Sequence, residues 1–343
     1  MNVTVQPIKV NRTQKRVQRW LLLFIMVLTT FPTSSFAISL NPSSVKGIAE
    51  AYGFILMQEY SLSRIEKDFP ELSDRVGLAR AQFGSTFPDI KSQLEAQIKK
   101  AMGDKQFQKT ATTLQTKIRE ASGRQRITRD IAVNFLDQVK ARSNGEIESP
   151  VLEYMLAVKY TSHPVDEFTD GFRQRYHTDG AGKSQGVQLN LQLPRSWTAK
   201  EGERPHIVQK WVSENGTGSE IIHLDIQDAQ GYNPTKKEME KYVRSGEAKN
   251  SVPDGFKYVA SGNFTLEGQT GYWLQIAMPL ERAGIKMYLD SLAYQFYFQG
   301  KSIGLMCQAG GPESEKNNVN EAFKRIQPLC QQVLNSLVLM QGY

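Results

Sequence analysis

Gly182-Lys183-Ser184-Gln185-Gly186 offers two chemistries at once. Gly-Lys-Ser is how a phosphate-binding loop ends. Such a loop also needs Gly at position 177, where His177 stands. It needs a strand before it and a helix after it, because helix N–H groups hold the phosphate. Here a strand follows. The same five residues fit G-x-S-x-G, yet a nucleophile elbow lies between strand and helix. His177 is close in sequence, and proximity alone does not build a triad. The segment reads as an interdomain turn.

The other polar candidates are dispersed. His163, His177, His206 and His223 occur singly. His223 and Asp225 share one face of a predicted strand, expected to be a solvent-facing stripe; a metal pair there lacks a third ligand at suitable spacing. No metal or cofactor site is expected. The loop from Arg195 to His206 holds Arg195, Trp197, Glu203, Arg204 and His206 between strands. Loops on a rigid sheet carry recognition, and Trp and Arg dominate interface hot spots. These five residues are the candidate binding surface. Arg119, Arg124, Arg126 and Arg129 cluster beside Glu120 and Asp130 and read as a solvated helix junction.

Two cysteines occur, Cys307 and Cys330. Ile303, Leu305, Cys307 and Ala309 alternate, so they share one strand face. Phe323, Ile326, Cys330, Val333 and Leu337 recur at three and four, so they share one helix face. Two inward faces bring the sulfurs together, which predicts a disulfide in an exported chain.

The elements that must position these residues fall into two halves. From Ser43 to about Tyr160 the apolar period is helical: Val45, Ile48, Tyr52 and Ile55 trace one stripe, and Phe107, Ala111, Leu114, Ile118 and Ala121 trace a narrow seam. Asp104 and Thr128 read as N-caps and Pro150 as a first helical position. From about Gly186 the period is two: Val187, Leu189, Leu191 and Leu193 alternate with polar residues. Further strands are expected near Ile207–Ser213, Glu220–Gln227, Phe256–Leu266, Gly271–Pro279, Ile285–Gln299 and Lys301–Ala309. A helix from Asn233-Pro234 to Ser245 interrupts them, and a last helix runs from Val319 to Leu339, with a kink expected at Pro328. Short turns between consecutive strands imply an antiparallel sheet. The expected organisation is an all-α helical bundle over 38–160, a linker over 161–185 and an α+β domain over 186–343, its antiparallel sheet covered by helices.

Leu193-Pro194-Arg195-Ser196-Trp197, the helix at Pro234–Arg244, the strand meander from Phe256 to Ala309 and the closing Asn335-Ser336-Leu337-Val338 carry a resemblance. Over Gly186 to Leu339 the chain resembles the PsbP-like (DcrB-like) family. The resemblance implies an α/β/α sandwich acting as a non-catalytic accessory or binding domain, and it supplies no catalytic residues. The helical half lies outside it.

Lys9, Arg12, Lys15, Arg16 and Arg19 precede the apolar run Trp20 to Phe31, and Ser35-Phe36-Ala37 follow it. This is the layout of a cleaved Sec-type signal peptide, residues 1–37. The run is shorter than the roughly 20 residues needed to span a bilayer, so no stable membrane span is expected after cleavage. The formal charge is +7; the signal holds five basic residues and no acidic one, so the mature chain carries +2. That removes the electrostatic case for nucleic acid. The expected protein is a periplasmic or secreted accessory protein, non-catalytic, whose partner is an envelope protein or cell-wall component. It would engage that partner through the α+β domain or the interdomain groove. The alternative is an envelope hydrolase whose site is assembled from residues distant in sequence. Mass spectrometry of exported protein is expected to find Ile38 at the N-terminus; an intact leader would reverse both the compartment and the charge argument.

Overall fold

The computed structural model describes residues 42–340 apart from 125, 147–149, 253 and 283. The expected signal segment and the expected cleavage after Ala37 lie outside the described residues. No described helix is long and apolar enough to cross a membrane.

Six helices make the N-terminal half: α1 (Pro42–Asp68), α2 (Ser73–Thr86), α3 (Ile90–Met102), α4 (Asp104–Arg124), α5 (Arg129–Ser143) and α6 (Pro150–Tyr160). Their apolar stripes meet in one core built on Ile48, Tyr52, Leu62, Phe87, Leu94, Leu136 and Leu156. Thr128 caps α5, its hydroxyl accepting from the Ile131 amide at 3.4 Å. Asp104 lies in the first turn of α4 rather than before it. The α4 seam is buried at Phe107 only, with Ala111 and Leu114 half-buried. The amphipathic pattern is present, but one edge of the bundle leaves half of it uncovered.

The segment expected as a linker is folded. It holds α7 (Pro164–Thr169) and β1 (Arg173–His177), which pairs antiparallel with β2 (Leu189–Pro194). Strand β1 escapes the sequence pattern because Arg173-Gln-Arg-Tyr-His has no apolar alternation; its outer face meets solvent. β10 (Val338–Leu339) pairs with the other edge of β2, completing a three-stranded sheet. The expected last helix ends earlier for that reason.

The large sheet contains β3 (Thr198–Lys200), β4 (Ile207–Val212), β5 (Glu220–Asp228), β6 (Lys257–Leu266), β7 (Gln269–Arg282), β8 (Ile285–Phe298) and β9 (Lys301–Pro312). Its seven strands run antiparallel in the order β3-β4-β5-β9-β8-β7-β6. Strands β6 to β9 form a meander closed by short turns. Strand β5 pairs with β9, so the chain must cross the sheet to begin β6 at the far edge. The crossing contains α8 (Lys236–Arg244) and α9 (Glu247–Asn250), which cover β6 and β7. A capping box at Thr235 and Glu238 starts α8. On the opposite face α10 (Lys316–Asn335) packs on β8 and β9, and the small sheet packs beside it through Leu189, Leu191 and Leu193. Helices on both faces of an antiparallel sheet make the α+β sandwich that the sequence predicts.

Cys307 on β9 and Cys330 on α10 are joined, with Cα atoms 6.2 Å apart. Both lie in the main core. The bond ties the closing helix to a central strand across a 23-residue separation. The chain-entropy model assigns a loop of this size roughly 3 kcal/mol. Urea unfolding of the Cys307→Ala/Cys330→Ala double variant is expected to show a loss of that order. An unchanged midpoint would count against a stabilising role for the bond.

Candidate functional site

Two loops singled out by the sequence come together at one end of the sandwich. The first runs over 178–185 between β1 and β2, the second over 201–206 between β3 and β4. Lys183 joins them: its Nζ donates to the Gly202 carbonyl at 2.6 Å and lies 3.3 Å from Glu201 Oε1. Gly202 is buried, and a Cβ there would collide with the Ile207 carbonyl, so the second loop needs glycine to fold back on its own strand. The first loop is set by an Asx turn, Asp179 Oδ1 accepting from the Ala181 amide at 2.8 Å. Thr178 holds its base, donating to Val187 O and accepting from Leu189 N.

Between the loops lie two adjoining depressions that share Lys183 and Glu201. One, of about 750 Å³, is lined by Gly182, Gln185, Glu203, Arg204 and Pro205; the other, of about 320 Å³, by Tyr176, His177 and Asp179. Together they form an open trough carrying both signs of charge. Ser184 does not present a nucleophile to it. The side chain is buried and its hydroxyl donates to Ala181 O at 2.6 Å. The turn after it passes through a left-handed Gln185 and leads toward β2, not into a helix. The segment is a turn, as expected, but it joins two paired strands of the small sheet and does not lie between domains.

The five candidate surface residues part company. Trp197 is buried in the main core. Arg195 reaches toward the helical half, its Nη1 donating to Gly145 O at 2.7 Å. Glu203 and Arg204 line the trough, whereas His206 turns inward toward Asp225. Glu203 accepts from Lys210 Nζ at 2.9 Å.

Behind the second loop lies a group that the sequence pattern misplaced. His223 and Asp225 are fully buried, not solvent-facing. Strand β5 is the reason: Ile221-Ile222-His223-Leu224-Asp225-Ile226 is covered on both faces, as befits a near-continuous apolar run. His223 Nε2 lies 3.5 Å from Asp225 Oδ2, and His206 Nε2 lies 3.9 Å from Asp225 Oδ1. Burial pushes the Asp225 carboxyl well above its usual range and the His223 imidazole down to about 3. His206 is also lowered, first by burial, then by Arg204 and Lys183. Neutral forms are favoured throughout. The imidazoles address opposite oxygens of one carboxyl group. Among the described residues, no three His, Cys, Asp or Glu side chains are grouped to hold a metal ion.

A second buried carboxyl sits where the halves meet. Glu167, on α7, is 1% exposed. Its carboxylate accepts from the Ser196 amide at 2.7 Å and the Ser196 hydroxyl at 2.6 Å. It thereby fixes the turn that points Arg195 at the bundle and Trp197 at the core. Burial raises its pKa to about 7, against the lowering effect of the Ser196 and Arg195 hydrogen bonds. Sequence reasoning missed Glu167; its place between Val165 and Phe168 in a short apolar helix was the available signal.

No family model matches the chain, and no curated protein matches it. The solved structures that are similar to it over about half its length include the following three. Cyanobacterial PsbP from Synechocystis sp. PCC 6803 is 13% identical over 49% of this chain and 92% of its own, with a TM-score of 0.30. LpqN, involved in cell envelope biogenesis of Mycobacterium tuberculosis, is 16% identical over 52% and 96%, with a TM-score of 0.29. The Saccharomyces cerevisiae Ran-binding protein Mog1p is 7% identical over 49% and 95%, with a TM-score of 0.33.

The Glu167 carboxyl makes stability pH-dependent in a definite direction. The unfolded chain ionises it near 4.5 and the folded chain near 7. Between those values the folded state binds more protons, so this group's contribution is complete at low pH and is lost as pH rises through that window. Thermal melts of wild type and Glu167→Gln, from about pH 5 to about pH 8, should separate it. The variant is expected to show a flatter profile; parallel profiles would show that Glu167 does not titrate there.

Proposed function

We propose that this chain is an exported, non-catalytic binding protein of the bacterial cell envelope that recognises a polar partner at the trough between the 178–185 and 201–206 loops. The observation that carries the reading is the open, mixed-charge lining of that trough. Lys183 and Arg204 face Glu201 and Glu203 along its walls. An enclosed reaction chamber would exclude water and hold reactants from several sides; this surface is open. Its charges are already engaged within the protein, Lys183 with Glu201 and Glu203 with Lys210. Such pairs can be exchanged for a partner's groups at small net energy, which favours specificity over tight affinity.

The buried polar groups fit the same reading. Ser196 and Glu167 contact each other but are closed from solvent, and Glu167 acts as a structural fastener. His206, Asp225 and His223 lie behind the second loop, with Asp225 and His223 closed from solvent. The partner in this proposal is an envelope protein or cell-wall component that offers its own mixture of donors and acceptors.

Photo-crosslinking residues placed at Glu203 and Arg204 in intact cells are expected to trap an envelope component. The same residue at Glu321, exposed on α10, is expected to trap none. Arg204→Glu combined with Lys183→Glu should lower the adduct from position 203 several-fold. Equal trapping at all three positions, or none at the trough, would sink the proposal.

A further inference from the structure

The helical half contains a groove of different chemistry. It lies between α1 and α5, beside the end of α4, and has a volume of about 270 Å³. Phe54, Ile127 and Phe135 supply much of its wall, and Met57 and Ile131 stand at it while 47% and 48% exposed. Two large apolar side chains left this open at one depression are unusual among otherwise scattered surface residues.

Two residues that line this apolar setting each carry a buried polar atom without a hydrogen-bond partner. Arg142 lines the groove with its guanidinium 5.0 Å from the Phe54 ring centre and 6.0 Å from that of Phe135. One nitrogen donates to Gln138 Oε1 at 3.2 Å, but Nη1 is buried with no hydrogen-bond partner. Burial lowers the Arg142 pKa, and no neighbouring carboxylate offsets that among the described residues. Gln58, 4% exposed, lines the same groove with its Oε1 also unpartnered. Arg64, a second cation on the wall, is paired with Asp68 at 3.2 Å. The lining residues include no Asp or Glu. A guanidinium with one buried N–H group left without an acceptor is costly, and an anion hydrogen-bonded to it relieves that cost.

We propose that this groove binds a medium-chain fatty carboxylate of about eight carbons, its head on Arg142 and its aliphatic tail between Phe54, Ile131 and Phe135. The charge selects an anion, and the flanking rings select an apolar tail. The volume lies just below the usual range for small-molecule pockets, roughly 300–1,000 Å³, which favours a medium chain over a long one. Gln58 Oε1 accepts a hydrogen bond, so it suits the protonated form of the same head or a water held beside it.

Calorimetric titration of the purified full chain tests the assignment, with octanoate as probe and octanol, octylamine and acetate as comparisons. Octanoate is expected to bind at one site per chain and more tightly than all three. Arg142→Gln should weaken octanoate about tenfold or more, as expected for a charge-assisted hydrogen bond of roughly 1.5–3 kcal/mol. Ile131→Glu, at an exposed position, should weaken it comparably with an unchanged circular dichroism melt, and it carries the test should Arg142→Gln fail to fold. Octanol or octylamine binding as tightly as octanoate would overturn anion recognition. Acetate binding as tightly would overturn the apolar tail. Absence of octanoate binding, or unchanged binding in Ile131→Glu, would overturn the site.

Discussion

Strand β5 is buried on both faces, and that requirement organises the α+β half. A strand in the body of an antiparallel sheet exposes one apolar row to each side, and both rows must be covered. Ile222, Leu224 and Ile226 are met by the small sheet and α10. Because β5 pairs with β9 and not with β6, the chain has to travel to the opposite edge before the meander begins. The crossing segment carries α8 and α9, which pack on β6 and β7 at that far edge through Met239, Tyr242 and Ala248. The disulfide acts on the first face, holding α10 to β9, the neighbour of β5.

The same constraint explains which parts of the fold were legible. Strands β4 to β9 announce themselves as apolar runs or alternations bounded by turn residues, and the helices of the bundle by the apolar stripe each carries. Thr128 at the α5 cap and the Cys307–Cys330 pair were readable for the same local reason. Strand β1 was not, since it is an edge strand whose pairing with β2, not its side chains, defines it. His223 and Asp225 were misplaced because alternation was weighed by residue polarity. The apolar residues around them show that the strand is central, and a polar residue in a central strand goes inside with it.

Of the candidate surface, the sequence located the loop but not the direction of its side chains. Leu193-Pro194-Arg195-Ser196-Trp197 follows β2 as a tight turn, and Glu167 decides how it sits. Trp197 turns into the core and Arg195 into the contact with the helical half. That division depends on a carboxyl 29 residues earlier in the chain, a separation no local pattern reveals. The trough shows the same limit, since Lys183 and Gly202 belong to turns that look unrelated until β1, β2, β3 and β4 bring them side by side.

The joint therefore does more than connect. Phe172 leaves α7 to pack on Phe87 and Tyr160 of the bundle, with ring centres 5.9 and 6.2 Å away. Arg195 answers from the sheet side through Gly145. The two cores are thus held by an aromatic contact, a charged hydrogen bond and a buried carboxyl that accepts two more. The carboxyl is the weakest member, because ionising it in a dry site opposes the packing around it. The aromatic contact does not depend on that ionisation, so the register of the halves should outlast the carboxyl's loss of its proton.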